Sequence, residues 1–104
     1  MNKITYTKKD IVRRTAMKVE LSHDEMKIIF DYVIDTMKNI FMEQHSNIRI
    51  EIRNFGIFEV KPTKAKPKAR NPRTNEEIFV PAHKKIAFKP GKILREELRK
   101  EWKT

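Results

Sequence analysis

Every proline in this chain, at positions 62, 67, 72, 81 and 90, lies in one window, 61–92, that also holds ten lysines and arginines against two acids. Proline fixes φ, removes a backbone donor and drives the residue before it out of helical geometry. Five of them exclude a long helix or an interior strand across this window. Inside it, ARNPRTNEEIFV (residues 69–80) sets Asn71-Pro72 and Thr74-Asn75, two structure-breaking dipeptides, between cations and a strand-like run. Over 61–85 the large apolar side chains are Ile78 and Phe79, too few to pack the segment into a core. The expectation is a mobile arm over about 61–85 that becomes ordered on a partner.

The charge indicates what kind of partner. The chain carries 24 Lys and Arg against 14 Asp and Glu, a net charge of +10. The window accounts for +8 of it, leaving +2 for the other 72 residues. A basic stripe tied to an unusual backbone predicts a polyanion. At 104 residues, one domain spanning 1–104 is the natural size. The hydrophobic share of 38% against 37% charged leaves little apolar surface for a monomer to bury, so dimerisation would help. There is no cysteine, which rules out disulfides and thiolate metal sites. The opening MNKITYTKKDIVRR has no apolar run of the signal-peptide kind, and no stretch has the length of a membrane span. A cytoplasmic location is expected.

Local patterns divide the rest into a helical part (about 7–44), a sheet with the arm (about 48–89) and a last helix (about 92–103). Thr7 with Asp10 and Ser22 with Glu25 match the capping box, in which a hydroxyl and a carboxylate three residues apart satisfy free amides at a helix start. The first helix is predicted over 8–17, with Ile11, Val12 and Ala16 inward. The second carries Met26, Ile29, Phe30, Val33, Ile34, Met37, Ile40 and Phe41 on one face. After residue 47 the period becomes two: Ile48, Ile50 and Ile52 alternate with Arg49, Glu51 and Arg53. Asn54-Phe55-Gly56 turns the chain into a return strand with Phe58 and Val60. Ile78-Phe79-Val80 and a strand with Ile86 and Phe88 follow. The last helix holds Ile93, Leu94 and Leu98, with Trp102 as its anchor. The fold class is α+β, in the order ααβββα, with an antiparallel three-stranded sheet and a protruding two-stranded ribbon.

Asn54-Phe55-Gly56-Ile57-Phe58 is similar to the GFGxF turn, and Arg70-Asn71-Pro72-Arg73-Thr74 to the RNPxTG arm tip, of the HU/integration host factor family of bacterial histone-like DNA-bending proteins. Glu20-Leu21-Ser22 and Ala87-Phe88-Lys89-Pro90-Gly91-Lys92 support the resemblance, which runs from about Thr7 to Trp102. Asn54 and Asn75 stand where the family usually has glycine, and asparagine tolerates positive φ better than most residues. The stretch from Phe58 to Pro72 is one residue longer than in a typical member.

The resemblance implies an intertwined dimer, homodimeric or heterodimeric, whose core includes Phe30, Val33, Phe55, Phe58 and Phe88. It implies minor-groove binding to double-stranded DNA, for which this family is itself a reference case, with Pro72 wedged between base pairs to kink the duplex. Arg70, Asn71, Arg73 and Thr74 would contact the groove. Lys61, Lys64, Lys66, Lys68, Lys84, Lys85, Lys89 and Lys92 would neutralise phosphates. Nucleoid association, DNA condensation and assistance to nucleoprotein assembly follow as the expected roles. Ile50-Glu51-Ile52-Arg53 is similar to an IEIR segment of one integration host factor subunit. That likeness gives the expectation that Arg53 enters the minor groove, held by Glu51. A plain surface ion pair is the competing reading.

Enzymatic chemistry has no foothold. His23, His45 and His83 are scattered without metal-ligand spacing, and Gly56 and Gly91 cannot build a phosphate loop. No cofactor, metal, small-molecule substrate or membrane is expected. A basic RNA-binding or ribosome-associated protein is the alternative, disfavoured because the basic window has only Phe79 and Phe88 as stacking aromatics. A module for acidic proteins or membranes lacks the amphipathic basic helix it would need.

Overall fold

A computed structural model of the chain describes residues 2–102. They form two compact units, one ending at Glu43 and the other starting at Gln44.

The first unit is a pair of helices, α1 (Lys8–Val19) and α2 (His23–Phe41). At α2 the capping box closes both ways: Glu25 N–H donates to Ser22 Oγ at 3.1 Å, and Ser22 N–H donates to Glu25 Oε1 at 3.2 Å. At α1 the Asp10 carboxylate accepts from both the Thr7 N–H (2.9 Å) and the Thr7 hydroxyl (3.1 Å). Those bonds favour the charged carboxylate, so Asp10 and Glu25 are both held below the usual acid range. The first helix runs two residues past the expected Met17, because nothing before Glu20 breaks it. Glu20 then stops it in the left-handed region at φ 57°, with its N–H on the Ala16 carbonyl. Val12 and Ala16 are the buried residues of α1. Lys8 reaches Asp31 of α2 at 2.9 Å.

The second unit holds an antiparallel sheet in the order β1-β2-β5: β1 (Ile48–Ile52), β2 (Gly56–Pro62) and β5 (Lys84–Pro90). Register sets Ile50 opposite Phe58 and Phe58 opposite Phe88. Period-two alternation therefore gathers Ile48, Ile50, Ile52, Phe58, Val60, Ile86 and Phe88 on one face, with Arg49, Glu51, Ile57, Glu59, Lys61, Lys85 and Lys89 on the other. The expected turn forms on Asn54 at φ 65°. Gly56 is required by close approach: a Cβ there would lie 2.6 Å from both the Lys89 carbonyl O and the Phe88 ring.

The arm is its own two-stranded sheet of β3 (Lys66–Arg70) and β4 (Glu77–Val80), the ribbon expected beside the three-stranded sheet. Residues 63–65 and 81–83, Pro81 among them, interrupt the regular ladder. The register shifts by one residue between Lys66 and Ala69. This bulge takes up an extra residue on β3 around Pro67, whose missing N–H suits a bulge and not a regular ladder. Helix α3 (Lys92–Leu98) follows the Gly91 cap. It ends well short of the expected residue 103, since the charged residues after Leu98 bring little apolar surface to sustain a short helix. Trp102 is 84% exposed and anchors nothing in this chain; Lys103 lies outside the described residues.

Candidate nucleic-acid interface

The tip of the arm is a closed loop. Asn75 N–H donates to the Asn71 carbonyl at 2.7 Å, and Asn71 N–H donates to the Glu76 carbonyl at 2.9 Å. Within the loop the Asn71 side-chain oxygen accepts from Arg73 N–H at 2.9 Å, an Asx turn that straddles Pro72. Asn75 takes φ 60°, the conformation glycine would otherwise supply. Pro72 is exposed at the apex. The ring is thus presented outward at the apex of a loop closed by its own hydrogen bonds.

The candidate groove residues are not equally free. Arg70 is committed to the loop, donating through Nη1 to the Asn75 carbonyl at 3.1 Å and lying 3.8 Å from Glu77. Asn71 spends its side-chain oxygen on Arg73, and Thr74 Oγ1 accepts from Glu76 N–H at 3.4 Å. The Arg73 side chain makes no hydrogen bond or ion pair among the described residues.

Behind the tip, Lys64, Lys66, Lys85 and Arg70 line one shallow groove of about 240 Å³ with Thr63 and His83. Those last two clasp the arm's base. Thr63 N–H donates to the His83 carbonyl at 2.7 Å, and His83 N–H donates to Thr63 Oγ1 at 3.3 Å. His83 Nδ1 lies 3.0 Å from the Pro81 carbonyl, which fixes the ring. Lys68 is exposed on β3, and Lys84 stands opposite Pro62 where β5 begins.

On the polar face of the sheet, Glu59 bridges two expected phosphate ligands. Lys89 Nζ is 2.8 Å from Oε1 and Lys61 Nζ is 3.2 Å from Oε2. The hydrogen bond from Lys89 and then that from Lys61 hold the Glu59 carboxyl below the usual range. Sequence reading passed over Glu59, although an acid two residues before Lys61 on a strand shares its face and is a visible signal.

The expected Glu51–Arg53 pair is not formed. Glu51 Oε1 binds Arg49 Nε at 3.0 Å, because residues two apart on a strand share a face, whereas Arg53 has left the strand for the turn. Arg53 instead lines a concavity of about 470 Å³ together with Lys92, Asn54 and Ile93.

The expected dimer residues are apolar and incompletely covered. Phe55, Phe58 and Phe88 cluster with ring centroids 4.8–6.3 Å apart, yet Phe55 is 45% and Phe88 40% exposed. No residue of α2 is buried; Val33 is half-exposed and Phe30 only partly covered. Among the described residues there is no cluster able to hold a metal ion and no helix long and apolar enough to cross a membrane.

Residues 6–99 match the family model described as bacterial DNA-binding protein. The chain belongs to that family. Family members related to this chain include DNA-binding protein HU of Thermotoga maritima, 33% identical over 93 residues that cover 89% of this chain and 99% of that one. DNA-binding protein HU 1 of Bacillus subtilis is 38% identical, covering 86% and 92%. An integration host factor subunit alpha from Hydrogenovibrio crunogenus is 33% identical, covering 88% and 91%. Among solved structures, HU from an Anabaena HU–DNA cocrystal superposes with a TM-score of 0.78 at 27% identity, covering 92% of this chain and all of that one. The α+β fold is that of the family, and the family's members are DNA-binding proteins, not enzymes.

Proposed function

We propose that two copies of this chain form an intertwined dimer that bends double-stranded DNA, laying both arms in the minor groove and inserting Pro72 of each between base pairs. The observation that carries this reading is the exposed Pro72 ring at the apex of a loop tied by the 2.7 Å Asn75–Asn71 bond. Unstacking costs about a few kcal/mol per step, and neutralising phosphates with counterion release offsets it. Lys64, Lys66, Lys68, Lys84 and Lys85 on the arm and sheet and Lys92 at the start of α3 would do that work, with Lys61 and Lys89 after they leave Glu59. Arg73 is the freest candidate for the groove floor.

Dimerisation is supported by the bare apolar face of α2 and by the half-covered phenylalanines, which a second copy would bury. The family's DNA-binding character and the HU–DNA cocrystal neighbour support the choice of partner. Inside a bacterial cell such a protein would act at the nucleoid, compacting DNA or assisting nucleoprotein assembly.

End-to-end fluorescence transfer on a duplex of about 30 base pairs tests the reading. The wild type is expected to shorten the end-to-end distance, and Pro72→Ala is expected to bind with much less bending at matched occupancy. Equal bending by the two proteins would refute the wedge.

A further inference from the structure

Asn75, like Arg73, enters the hydrogen bonding of the arm tip through its backbone alone among the described residues. Its N–H is bound to the Asn71 carbonyl at 2.7 Å and its carbonyl to Arg70 Nη1 at 3.1 Å. Its φ is 60°, a conformation glycine adopts at no cost and other residues reach with strain. The side-chain amide is exposed and makes no hydrogen bond among the described residues. It therefore does nothing for the loop that a glycine would not do better. Its neighbours differ: Asn71 and Thr74 hold the turn with their side-chain oxygens, and Arg70 braces it.

We propose that Asn75 is a specificity-determining residue, whose free amide reads base edges in the minor groove beside the Pro72 wedge. The inference rests on the DNA-bending reading above and deepens it. Asn75 faces Asn71 across the neck of a loop with only Pro72, Arg73 and Thr74 between them, so a wedge at Pro72 brings the amide to the adjoining base step. There an A·T pair offers only the acceptors adenine N3 and thymine O2, whereas G·C adds the guanine N2 amino group. The two amide N–H donors suit the first pattern and meet a competing donor in the second. Each arm would then favour A·T at one step flanking the kink. The backbone on either side of Asn75 is pinned, so the amide arrives with little freedom left to lose.

Asn75→Gly is the decisive variant, because glycine keeps or eases the positive φ and removes only the amide. Asn75→Asp is its companion, retaining shape and tolerance of this φ but replacing both donors by acceptors. Binding-site selection from a randomised duplex, with affinity for a fixed nicked duplex as control, reads the outcome. The wild type is expected to show a composition bias next to the kink of roughly fivefold, the worth of one net hydrogen bond. Asn75→Gly should lose the bias while keeping nicked-duplex affinity within about twofold, and Asn75→Asp should lose it too. Selection profiles identical for wild type and Asn75→Gly would overturn the inference, as would an affinity loss in Asn75→Gly spread evenly over all sequences. Failure of the wild type to bind or bend any duplex would instead overturn the underlying reading.

Discussion

Lys89 and Glu59 are joined across neighbouring strands at 2.8 Å, and Lys61 takes the second carboxylate oxygen at 3.2 Å. Two cations that a phosphate backbone would recruit are thus already held by an acid whose side chain is 12% exposed. The lysine ends of both pairs are more than half exposed and screened by solvent, so the pairs are weak, and DNA must break them to use the lysines. Glu59→Gln is predicted to tighten binding to duplex DNA roughly two- to fivefold at low salt, as the loss of weak pairs allows. Its effect on folding has the opposite sign. The folded carboxyl is held below its usual value of 4.5, so the pairs stabilise the protein above that pH and are lost as pH falls through the folded value. Wild type should therefore be more stable than Glu59→Gln at neutral pH, and the gap should close in acid. Titrations and thermal melts at two pH values check both signs; weaker binding by the variant would contradict the bridge's proposed role.

Gly56 is predicted to tolerate no side chain. A Cβ there would sit 2.6 Å from a backbone carbonyl on β5 as well as from a ring of the phenylalanine cluster, and backbone cannot swing aside as a flexible side chain would. Gly56→Ala should destabilise the protein by about 1–3 kcal/mol, the usual cost of forcing atoms into a packed site. A lowered melting temperature with the same far-ultraviolet spectrum is the expected result. An unchanged melt would mean that the β2–β5 ladder opens more easily than its register suggests.

The helices, the strands of the three-stranded sheet and the turn were legible because each rests on short-range chemistry. Ser22 with Glu25 is a reciprocal cap, Ile48, Ile50 and Ile52 mark a strand by alternation, and Asn54 permits positive φ. The arm was legible as a proline-rich, cationic exception to those same rules. Side-chain partnerships were not. Glu51 could serve Arg49 or Arg53 on sequence spacing alone, and only the point at which the strand gives way to the turn decides for Arg49. The Thr63–His83 clasp joins residues twenty apart, beyond the reach of any local pattern. Trp102 was expected to close a helix that stops at Leu98, since continuation depended on packing that the charged tail does not provide.

Association should be visible in the melting curve. The face of α2 that carries Phe30 and Val33 has no buried residue in the single chain. If a second copy covers it, folding and assembly are one equilibrium, and the melting temperature rises with protein concentration. Val33→Asp would place a carboxylate in that contact, at a cost of several kcal/mol for an unpaired charge. Sedimentation should give a dimer for wild type and a monomeric or unfolded chain for the variant. A wild-type monomer with a concentration-independent melt would remove the dimer from the mechanism.

Arg53 leads to the sharpest separation between reading sequence and gripping backbone. Arg53 stands in the turn just past β1, and Glu51, the carboxylate nearby in sequence that was expected to hold its guanidinium, is bound to Arg49 at 3.0 Å. Arg53 shares its concavity with the cation Lys92, the turn residue Asn54 and Glu51, whose charge Arg49 already offsets. Such a site attracts an anion without defining a base. Arg53→Ala should accordingly weaken binding by a similar factor on every duplex and lower the salt slope by about one, the loss of a single phosphate contact. Glu51→Ala should leave the preferred sequence unchanged, because it releases Arg49 and not Arg53. Binding-site selection across wild type and both variants is the measurement. A preference that shifts in Arg53→Ala at a fixed distance from the kink would show that DNA itself orients the guanidinium, and would restore Arg53 as a reader.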